Sequence, residues 1–522
     1  MREIKLFNTM NRKNEKLKTI EEGHIKMYVC GPTTYNYIHL GNARPIVVFD
    51  TIRRYLEAEG FRVTYIQNFT DIDDKIIKKA AEEGIETGDL AEKYINEYYI
   101  DADSLNVKRA TFHPKVSENI SEIISFVEGL LSKGKAYIVE GDVYFSVRSF
   151  SEYGKLSGRS IDDLLSGARI DIDERKKDPL DFALWKSSAA GEPGWKSPWG
   201  LGRPGWHIEC SAMSRKYLGE SFDIHGGGYD LVFPHHENEI AQSESLCNCS
   251  MSRYWLHNGF ITVNKEKMSK SLGNFFLVRE ITAKYSPEVV RFYLLSTHYR
   301  SPLDFDDEKL EASKKGLERI STCLSALNYA VSEETGREAA EENETIRKEI
   351  EKIEEYFYMA MADDFNTALA LAKTFDLVKE MNTYLRSKKL SREILEYGQK
   401  VLKKQLEIMG IDLQRQKNKN NLPDLLSAVY PELPRVFSGV EEKILESLRK
   451  NEIVIEENDF PEFLKSLTDE KAEEFLEALL EARRVSKNVK NFKLADRIRD
   501  LLKNNSIILE DSLQGTKWRI ES

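Results

Sequence analysis

Long apolar runs are missing from this sequence of 522 residues. No stretch reaches the roughly 18 consecutive apolar residues that a membrane-spanning helix requires, so we expect no association with a membrane. The N-terminal segment "MREIKLFNTMNRKNEKL" is basic but lacks the apolar centre of a secretory signal. Its "IKLFNT" portion predicts a strand, and we interpret the segment as the start of a mature protein, with an organelle transit peptide as the alternative.

Cysteine is scarce, and a large positive charge is absent. The five cysteines show no disulfide-framework spacing, which favours a reducing, cytoplasmic setting: Cys30, Cys210, Cys247, Cys249 and Cys323. The formal net charge of -11 argues against a globally basic nucleic-acid-binding protein. A local basic surface remains compatible with that value.

Histidine is missing from the last 224 residues, because all nine histidines precede residue 300. Four of the five cysteines also precede residue 250. From about residue 310 onward, charged stretches alternate with Leu, Ile and Ala at helical spacing. We therefore predict the polar chemistry in the first half of the chain and helices in the second.

The first half predicts alternating strands and helices. "IKMYVCG" (25–31) and "FRVTYIQNFT" (61–70) are typical of strands, and the segment 41–60 between them has a helical period. This alternation indicates parallel strands, whose carboxyl ends collect ligands. Cys30 and Thr70 lie at two such ends.

A looser segment, 115–200, is interpreted as an insertion that contains a hairpin at 136–147 and a Gly/Pro-rich loop at 189–206. The α/β pattern then resumes with a predicted helix at 206–219 and a strand at 221–228. A further helix is predicted from residue 235, directly after Pro234.

The stretch "PHHENEIAQ" (234–242) places metal-ligand types at helical spacing. His235 and Glu239 are four residues apart, and His236 and Glu239 are three apart, so either pair can share a helix face. A zinc site needs further ligands, for which Cys30 and Cys210 are the candidates. Spacing alone leaves open the alternative of two buried cysteines beside a solvated helix turn.

The "CNC" stretch places Cys247 and Cys249 only one residue apart. This separation is tight for two ligands of one ion, for which two to four intervening residues are usual. We interpret the pair as cysteines at a helix end.

Two further stretches are motifs. "YIHLGNARP" (37–45) resembles the HIGH signature of class I aminoacyl-tRNA synthetases with two substitutions, and "KEKMSKSLGN" (265–274) contains the partner KMSKS signature unchanged. Together with "NFTDIDDKII", "PGWHIECSAMS" and "FDIHGGGYDLVFPHHENEIAQSE", they resemble the cysteinyl-tRNA synthetase family. The resemblance covers roughly residues 1–310 and returns at 495–519.

The resemblance implies a zinc ion, Zn²⁺, held by Cys30, Cys210, His235 and Glu239, with the thiolate of the substrate L-cysteine as a further ligand. A pocket that judges shape alone separates near isosteres by about 10- to 200-fold, whereas zinc prefers a thiolate to a serine hydroxyl. The resemblance therefore implies selection by the metal, without an editing domain.

ATP, with Mg²⁺, is the implied second substrate. The matching motif positions are His39, Gly41 and Asn42 at the start of a helix, where phosphate is favoured. Lys267 and Lys270, the latter being the second motif lysine, are implied to contact the β- and γ-phosphates. The alternative is a helix-capping turn and a solvated basic loop.

The positions that match the amino-acid pocket of the family are Gly31, Thr70, Trp206, His225 and Asp230. Asp230 is a plausible partner for the substrate ammonium group, and Trp206 for the small side chain. Any of these residues is alternatively a core or turn residue, and we interpret His207 as a structural histidine.

The implied architecture is a Rossmann-type parallel-sheet catalytic domain with an inserted connective domain, followed by an α-helical bundle and a small C-terminal anticodon-binding domain. The predicted boundaries are 1–114 with 201–280, 115–200, 281–312 as a stem-contact segment, 313–412 for the bundle, 413–424 as a linker and 425–522. The segment 425–470 has no assigned role.

The implied macromolecular partner is tRNA-Cys, and a monomer is expected. The segment 483–503 carries eight Lys/Arg against two Asp, which suits phosphate contacts, and Trp518 could stack on an unpaired base. A solvated helix face is the alternative. Two rival functions are a cysteine ligase of the mycothiol type and an inactive tRNA-binding relative.

Overall fold

The computed structural model describes most of the chain in two compact units, Met1–Ile411 and Asp412–Ser522. The described residues are 2–161, 174–189, 191–263, 266–267, 275–332, 340–387, 389–413, 469–488, 491–505, 507–512 and 515–520. The predicted linker beyond residue 413 and the segment 425–468 lie outside them. Within the described residues, no helix combines the length and apolar character needed to cross a membrane.

The first unit is built on a four-stranded parallel sheet. Its strand order is β11-β10-β3-β4, with β3 at His24–Val29, β4 at Arg62–Gln67, β10 at Phe222–Gly228 and β11 at Ser252–Asn258. A short hairpin precedes it, β1 Lys5–Asn8 and β2 Lys13–Lys16. The parallel pairing confirms the alternation that the sequence predicted.

Helices connect these strands and cover the sheet. They are α1 Leu40–Ala58, α2 Asp74–Glu83, α3 Thr87–Ser104, α4 Ile120–Ser132, α5 Trp206–Leu218 and α6 Glu237–Cys247. Helix α1 buries a broad apolar face that includes Val47, Phe49 and Ile52. It therefore crosses over the core of the sheet and holds its own first turn at the carboxyl ends of the strands.

The inserted region forms an antiparallel sheet in the order β5-β6-β7-β9-β8. Its strands are β5 Ala136–Val139, β6 Asp142–Phe145, β7 Phe182–Ser187, β8 Trp195–Ser197 and β9 Gly200–Pro204. Phe145 and Trp185 of this sheet share one hydrophobic core with Cys210 and Trp255. The insertion is consequently packed against the elements that carry the predicted metal ligands.

A small sheet and a helical bundle complete the first unit. The sheet, β13-β12-β14, consists of β12 Ile261–Val263, β13 Glu266–Lys267 and β14 Leu303–Phe305. The helices are α7 Val278–Thr282, α8 Pro287–Leu295, α9 Asp307–Ser332, α10 Ala340–Ala362, α11 Thr367–Tyr384 and α12 Arg392–Met409. Apolar residues three and four apart, such as Leu317, Ile320 and Leu324, are buried between these helices.

The second unit contains two helices and a hairpin among its described residues. They are α13 Asp469–Asn488, α14 Phe492–Asn504, β15 Ile507–Ser512 and β16 Gly515–Ile520. Leu479, Ile498 and Leu502 are fully buried, so this unit has a core of its own. Trp518 pairs with Leu509 in the backbone register of the hairpin. The predicted fold class, an α/β domain with an insertion, a bundle and a small C-terminal domain, is confirmed.

Candidate active site

A cavity of about 350 Å³ lies where the parallel strands end. Its walls come from the carboxyl ends of all four parallel strands, because parallel strands have these ends at one edge of the sheet. The lining residues include Cys30 and Gly31 after β3, Asn68 and Thr70 after β4, Gly228 and Asp230 at the end of β10, and Asn258 and Gly259 at the end of β11. The first turn of α1 and Trp206 of α5 also line the cavity.

Four potential metal ligands meet at one wall of this cavity. The Sγ atoms of Cys30 and Cys210 are 3.7 Å apart, and Cys30 Sγ lies 3.5 Å from Glu239 Oε1. His235 Nε2 lies 3.1 Å from the same carboxylate oxygen. One ligand atom from each residue falls within 4.8 Å of the others, which is close enough to surround a single ion.

The turn that presents the histidines leads directly into α6. A helix was expected from residue 235, and α6 begins two residues later, at Glu237, so the prediction is confirmed to within two residues. The chain kinks at Phe233, whose backbone is extended with φ -140° and ψ 133°, whereas His236 already has helical angles of φ -68° and ψ -33°. His235 lies within hydrogen-bond distance of Glu239.

A second possible ligand set shares two members with the first. His236 Nε2 lies 3.3 Å from Cys30 Sγ, and His225 Nε2 lies 2.8 Å from Glu239 Oε2. Cys30, His225, His236 and Glu239 therefore also bring their ligand atoms together. Neither His225 nor His236 is among the described residues that line the cavity.

Burial favours the neutral forms of the imidazole and thiol groups among the candidate ligands. It lowers the pKa of His235 and of His236 well below the ordinary value and raises the pKa of the Cys30 thiol well above it. Neutral imidazole nitrogens are the form that binds metals. A thiol binds as the thiolate, so a bound cation would have to offset the cost that burial places on its charge.

Two further histidines contact the candidate histidine ligands through the ring nitrogen that does not face the other ligands. His207 Nδ1 lies 3.0 Å from His235 Nδ1, and His257 Nε2 lies 2.8 Å from His236 Nδ1. Burial lowers the pKa of His207 and of His257 to about 3. His207, interpreted from the sequence as structural, thus directly contacts a candidate ligand, which no spacing between residues 207 and 235 had indicated.

Asn68 is a site residue that the sequence did not single out, although it belongs to the quoted "NFTDIDDKII" stretch. Its Oδ1 accepts the backbone N–H of Gly31 at 3.0 Å and lies 3.8 Å from Cys210 Sγ. A Cβ on Gly31 would lie 1.7 Å from the carbonyl oxygen of Asn68. Only glycine fits here, and this close contact fixes the backbone directly after Cys30.

The HLGN turn forms the start of α1. His39 is the N-cap, its Nδ1 accepts the Asn42 N–H, and the Asn42 side chain accepts the His39 N–H, both at 3.3 Å. The turn is thus a capping box, as one alternative had it, and it also lines the cavity through His39, Gly41 and Asn42. Capping and cavity lining are compatible functions of one turn.

The KMSKS stretch is described only at its edge. Lys267 lies in β13, and the backbone of that residue pairs with Thr262. Lys270 lies outside the described residues. On the other side of the stretch, Leu40 N–H donates to Phe276 O at 3.0 Å, and Val278 N–H donates to Ile38 O at 3.1 Å. This border of the stretch is therefore tied to the HLGN turn.

The positions assigned to the amino-acid pocket have different surroundings. Thr70 donates its hydroxyl to the buried Glu209 carboxylate at 2.8 Å, and Trp206 stacks on His235 with ring centroids 4.4 Å apart. Gly31, Thr70, Trp206 and Asp230 line the cavity. His225 instead contacts Glu239 and stacks on Trp255.

The CNC pair forms a bond that the sequence analysis did not expect. Cys247 and Cys249 are joined by a disulfide, since Asn248 between them has a left-handed conformation with φ 58° that brings their Cα atoms to 5.3 Å. The expectation of cysteines without a disulfide is wrong for this pair. Neither residue belongs to a metal-ligand group among the described residues.

Comparison with family models places most of the chain in one family. Residues 16–315 match the model "tRNA synthetases class I (C) catalytic domain". Residues 356–414 match the DALR domain.

The similar proteins agree with this assignment. The chain is 52% identical to the cysteine–tRNA ligase of Desulforamulus reducens over 525 residues, covering 99% of both chains. It is also 52% identical to the cysteine–tRNA ligase of Carboxydothermus hydrogenoformans, covering 99% of this chain and 100% of the relative. Methionyl-tRNA synthetase of Mycobacterium tuberculosis shares the fold, with a TM-score of 0.56, 14% identity and coverage of 77% and 94%.

Proposed function

The chain belongs to the cysteine–tRNA ligase family of class I tRNA synthetases, and we propose that its cavity is where L-cysteine reacts with ATP. The enzyme is a ligase that activates cysteine and joins it to tRNA. One observation carries the assignment of the cavity. A single cavity is lined by thiol and imidazole groups able to hold a metal and by the HLGN turn.

Zinc is the metal that we propose for Cys30, Cys210, His235 and Glu239. Two thiolates, an imidazole and a carboxylate are ligand types that zinc accepts in four-coordinate sites. Three of these residues line the cavity, so a substrate sulfur can reach the same ion. The competing set with His225 and His236 offers one thiol, and its two histidines do not line the cavity in the described structure.

Selection of cysteine over serine is the purpose of such a centre. When bound, zinc would act as a Lewis acid that favours a thiolate ligand over a hydroxyl group, because the pKa of the hydroxyl is far higher. Shape alone separates substrates of this similarity by about 10- to 200-fold. Trp206, stacked on His235, limits the space beside the ligands, and Thr70 and Gly31 line the same cavity.

The first turn of α1 is proposed to hold the phosphates of ATP, with Mg²⁺ accompanying the nucleotide. His39 Nδ1 accepts the Asn42 N–H, so a neutral ring carries its proton on Nε2 and can donate from there. The helix N-terminus favours negative charge, and Gly41 adds no side chain to the turn. Lys267 and Lys270 are proposed to neutralise the β- and γ-phosphates, since a charged in-line transition state needs cations.

The carboxylate of Asp230 is proposed to bind the substrate ammonium group, because Asp230 lines the cavity and carries the matching charge. His225 has a different proposed role. It holds Glu239 Oε2 at 2.8 Å and so orients the carboxylate that contacts His235.

The partner of the second reaction is tRNA-Cys. The second unit carries the basic segment 483–503, and the DALR match precedes it. We propose that this segment contacts tRNA phosphates, that Trp518 meets an unpaired base, and that the enzyme acts as a monomer in the cytoplasm. The predicted domain boundaries remain part of the proposal.

Replacement of one proposed ligand tests the assignment. In Cys210→Ser, bound zinc measured by atomic absorption should fall below one equivalent, because a hydroxyl is a poor zinc ligand. Cysteine-dependent ATP–pyrophosphate exchange should fall by about 100-fold. Cys323→Ser is the matched control, since Cys323 is a buried free cysteine between bundle helices, and it should retain zinc and exchange.

Two outcomes would contradict the proposal. Selective activation of cysteine by wild-type protein that contains no zinc would contradict the role proposed for the metal. Activation of cysteine without charging of tRNA-Cys, but with transfer to an amino sugar, would instead support the mycothiol-type ligase.

A further inference from the structure

Arg44 is a fully buried arginine on α1, two residues beyond Asn42. Among the described residues, no carboxylate forms an ion pair with it. Its guanidinium group instead donates to backbone carbonyl oxygens, through Nη1 to Gly259 at 2.8 Å and Phe260 at 2.9 Å. Nη2 donates to Ser301 at 2.6 Å and His298 at 3.4 Å.

A buried charge without a carboxylate partner is costly, so this arrangement requires a structural or functional reason. Burial lowers the pKa of Arg44 to about 10, which still leaves the group charged at neutral pH. The planar guanidinium reaches two chain segments at once because its N–H groups point in fixed, diverging directions. A lysine ammonium at the same place is a compact group that cannot span both segments.

The first segment that Arg44 holds is a wall of the cavity. Gly259 and Phe260 connect β11 to β12, and they line the cavity together with Asn258 and Ile261. The second segment, 298–301, leads to β14, which pairs with β12. A Cβ on Gly259 would lie 2.5 Å from Ser301 O, so the two segments touch where the guanidinium bridges them.

Another part of the cavity wall is the start of the same helix. His39 and Asn42 form the capping box of α1, and Arg44 follows within the first turns. Helix α1 thus carries both the groups proposed for the phosphates and the group that holds residues 259 and 260 of the cavity lining. The distance between the two walls depends on the Arg44 hydrogen bonds to Gly259 and Phe260.

We propose that Arg44 is a positioning residue for ATP, which sets the separation between the HLGN turn and the 258–261 wall. This inference rests on the proposed assignment of the cavity. Arg44 does not line the cavity, so it acts through the backbone of residues 259 and 260. Cysteine binding depends on the zinc ligands at another wall and is expected to be independent of Arg44.

The test is Arg44→Lys, measured by pyrophosphate exchange with separate titrations of ATP and cysteine. We expect kcat/KM for ATP to fall by about 10- to 100-fold, since a displacement on the order of 1 Å has effects of that size. The KM for cysteine and the zinc content should stay within about twofold of wild type. This split distinguishes positioning of ATP from a general loss of folded protein.

Arg291→Lys is the matched control. Arg291 is equally buried, donates to the Met409 and Leu105 carbonyls, and pairs with Asp50, far along α1 from the HLGN turn. At a comparable loss in Tm, Arg291→Lys should leave the ATP and cysteine constants of the folded enzyme unchanged. Equal ATP constants in Arg44→Lys and Arg291→Lys would overturn the inference.

A second variant covers the case in which Arg44→Lys does not fold. Arg44→Gln places no unpaired charge in the core and retains donors toward one segment, so the same selective ATP defect is expected. Normal ATP constants in Arg44→Gln would likewise overturn the inference. Absence of cysteine-dependent exchange in the wild type would instead contradict the proposed function.

Discussion

At the residue scale, burial lowers the pKa of several histidines in this protein. His113 lies outside the candidate site and shows the effect clearly. Its Nε2 accepts the Ala110 N–H at 3.1 Å, so the neutral ring donates from Nδ1 to Gln67 O at 3.0 Å. Burial lowers the pKa of His113 to about 4, because a charged ring would lose water and one hydrogen bond.

This pKa predicts a pH dependence of stability. The folded-state pKa of His113 is about 4 and the unfolded value about 6.5, so its stabilising contribution is present above pH 6.5 and is lost as the pH falls toward 4. Between pH 7.5 and 5.5, His113 should account for about 1 kcal/mol of lost unfolding free energy. Urea unfolding of the wild type and of His113→Gln at pH 7.5 and pH 5.5 measures this loss.

The quantity to compare is the unfolding free energy that each protein loses between pH 7.5 and pH 5.5. His113→Gln should lower stability at pH 7.5 and lose less on acidification than the wild type. His24→Gln is the control, since His24 has a carboxylate partner in Glu21 at 2.9 Å. Equal losses in wild type and His113→Gln would show that the ring is charged in the folded state.

At the element scale, the insertion fixes the helix that carries a proposed ligand. The buried carboxylate of Glu237, in the first turn of α6, accepts the N–H groups of Gly154 at 2.9 Å and Ser157 at 2.8 Å. Backbone N–H groups of one loop that converge in this way can bind a carboxylate. Tyr153 adds a hydrogen bond to Asn238 at 2.5 Å. The loop around residue 155 therefore locks the start of α6, two residues before Glu239.

Loss of the hydrogen bonds made by Glu237 should weaken zinc binding. Glu237→Gln points an amide N–H₂ at backbone donors, so we expect a loss of about 1–3 kcal/mol in unfolding free energy. Zinc affinity, measured by competition with a chelator, should weaken by about 10-fold, as supporting residues around metal ligands typically do. The measurement pairs urea unfolding with the chelator titration.

The matched control is an acid of the same loop without the buried contacts. Glu152 is exposed and pairs with Lys155 at the surface, so Glu152→Gln should change neither stability nor zinc affinity. Unchanged zinc affinity in Glu237→Gln at reduced stability would show that the loop supports the fold alone.

At the scale of the whole molecule, the two units divide the predicted tasks. The first unit contains the cavity, and the second contains the basic segment 483–503, which carries eight Lys/Arg against two Asp although the whole chain has a net charge of -11. Lys493 and Arg497 lie on the exposed face of α14. Contacts of such residues with phosphates are screened by salt.

Substitution on this face should separate the two reactions. In Lys493→Ala/Arg497→Ala, the KM for tRNA-Cys should rise by about 10-fold while cysteine-dependent exchange stays unchanged, because activation needs only the first unit. The slope of log affinity against log salt should become shallower by about 1.5, as two phosphate contacts are lost. Charging assays across a salt series measure both quantities.

Lys348→Ala is the control, because Lys348 is an exposed lysine on α10 of the first unit. An unchanged tRNA KM and salt slope in the α14 variant would show that this face is a solvated surface.

The sequence predicted the local elements of the fold better than the contacts within the site. The strands at 25–31 and 61–70 and the helix at 41–60 were found to within a few residues, since their signals are local. The kink at Phe233, the CNC disulfide and the roles of Asn68 and Arg44 were not found. Each depends on a turn geometry or on contacts between segments far apart in the chain.

The sequence by itself determined the α/β alternation, the two nucleotide motifs and the ligand types, because hydrophobic period and motif spacing are properties of neighbouring residues. Only the tertiary structure brought Cys30 to Cys210, 180 residues away, at 3.7 Å. It also gave Glu239 two possible sets of partners, and in the set containing His235 the three partners Cys30, Cys210 and His235 line the cavity. Such distances depend on how the sheet edge, α5 and α6 pack, and no local pattern encodes that packing.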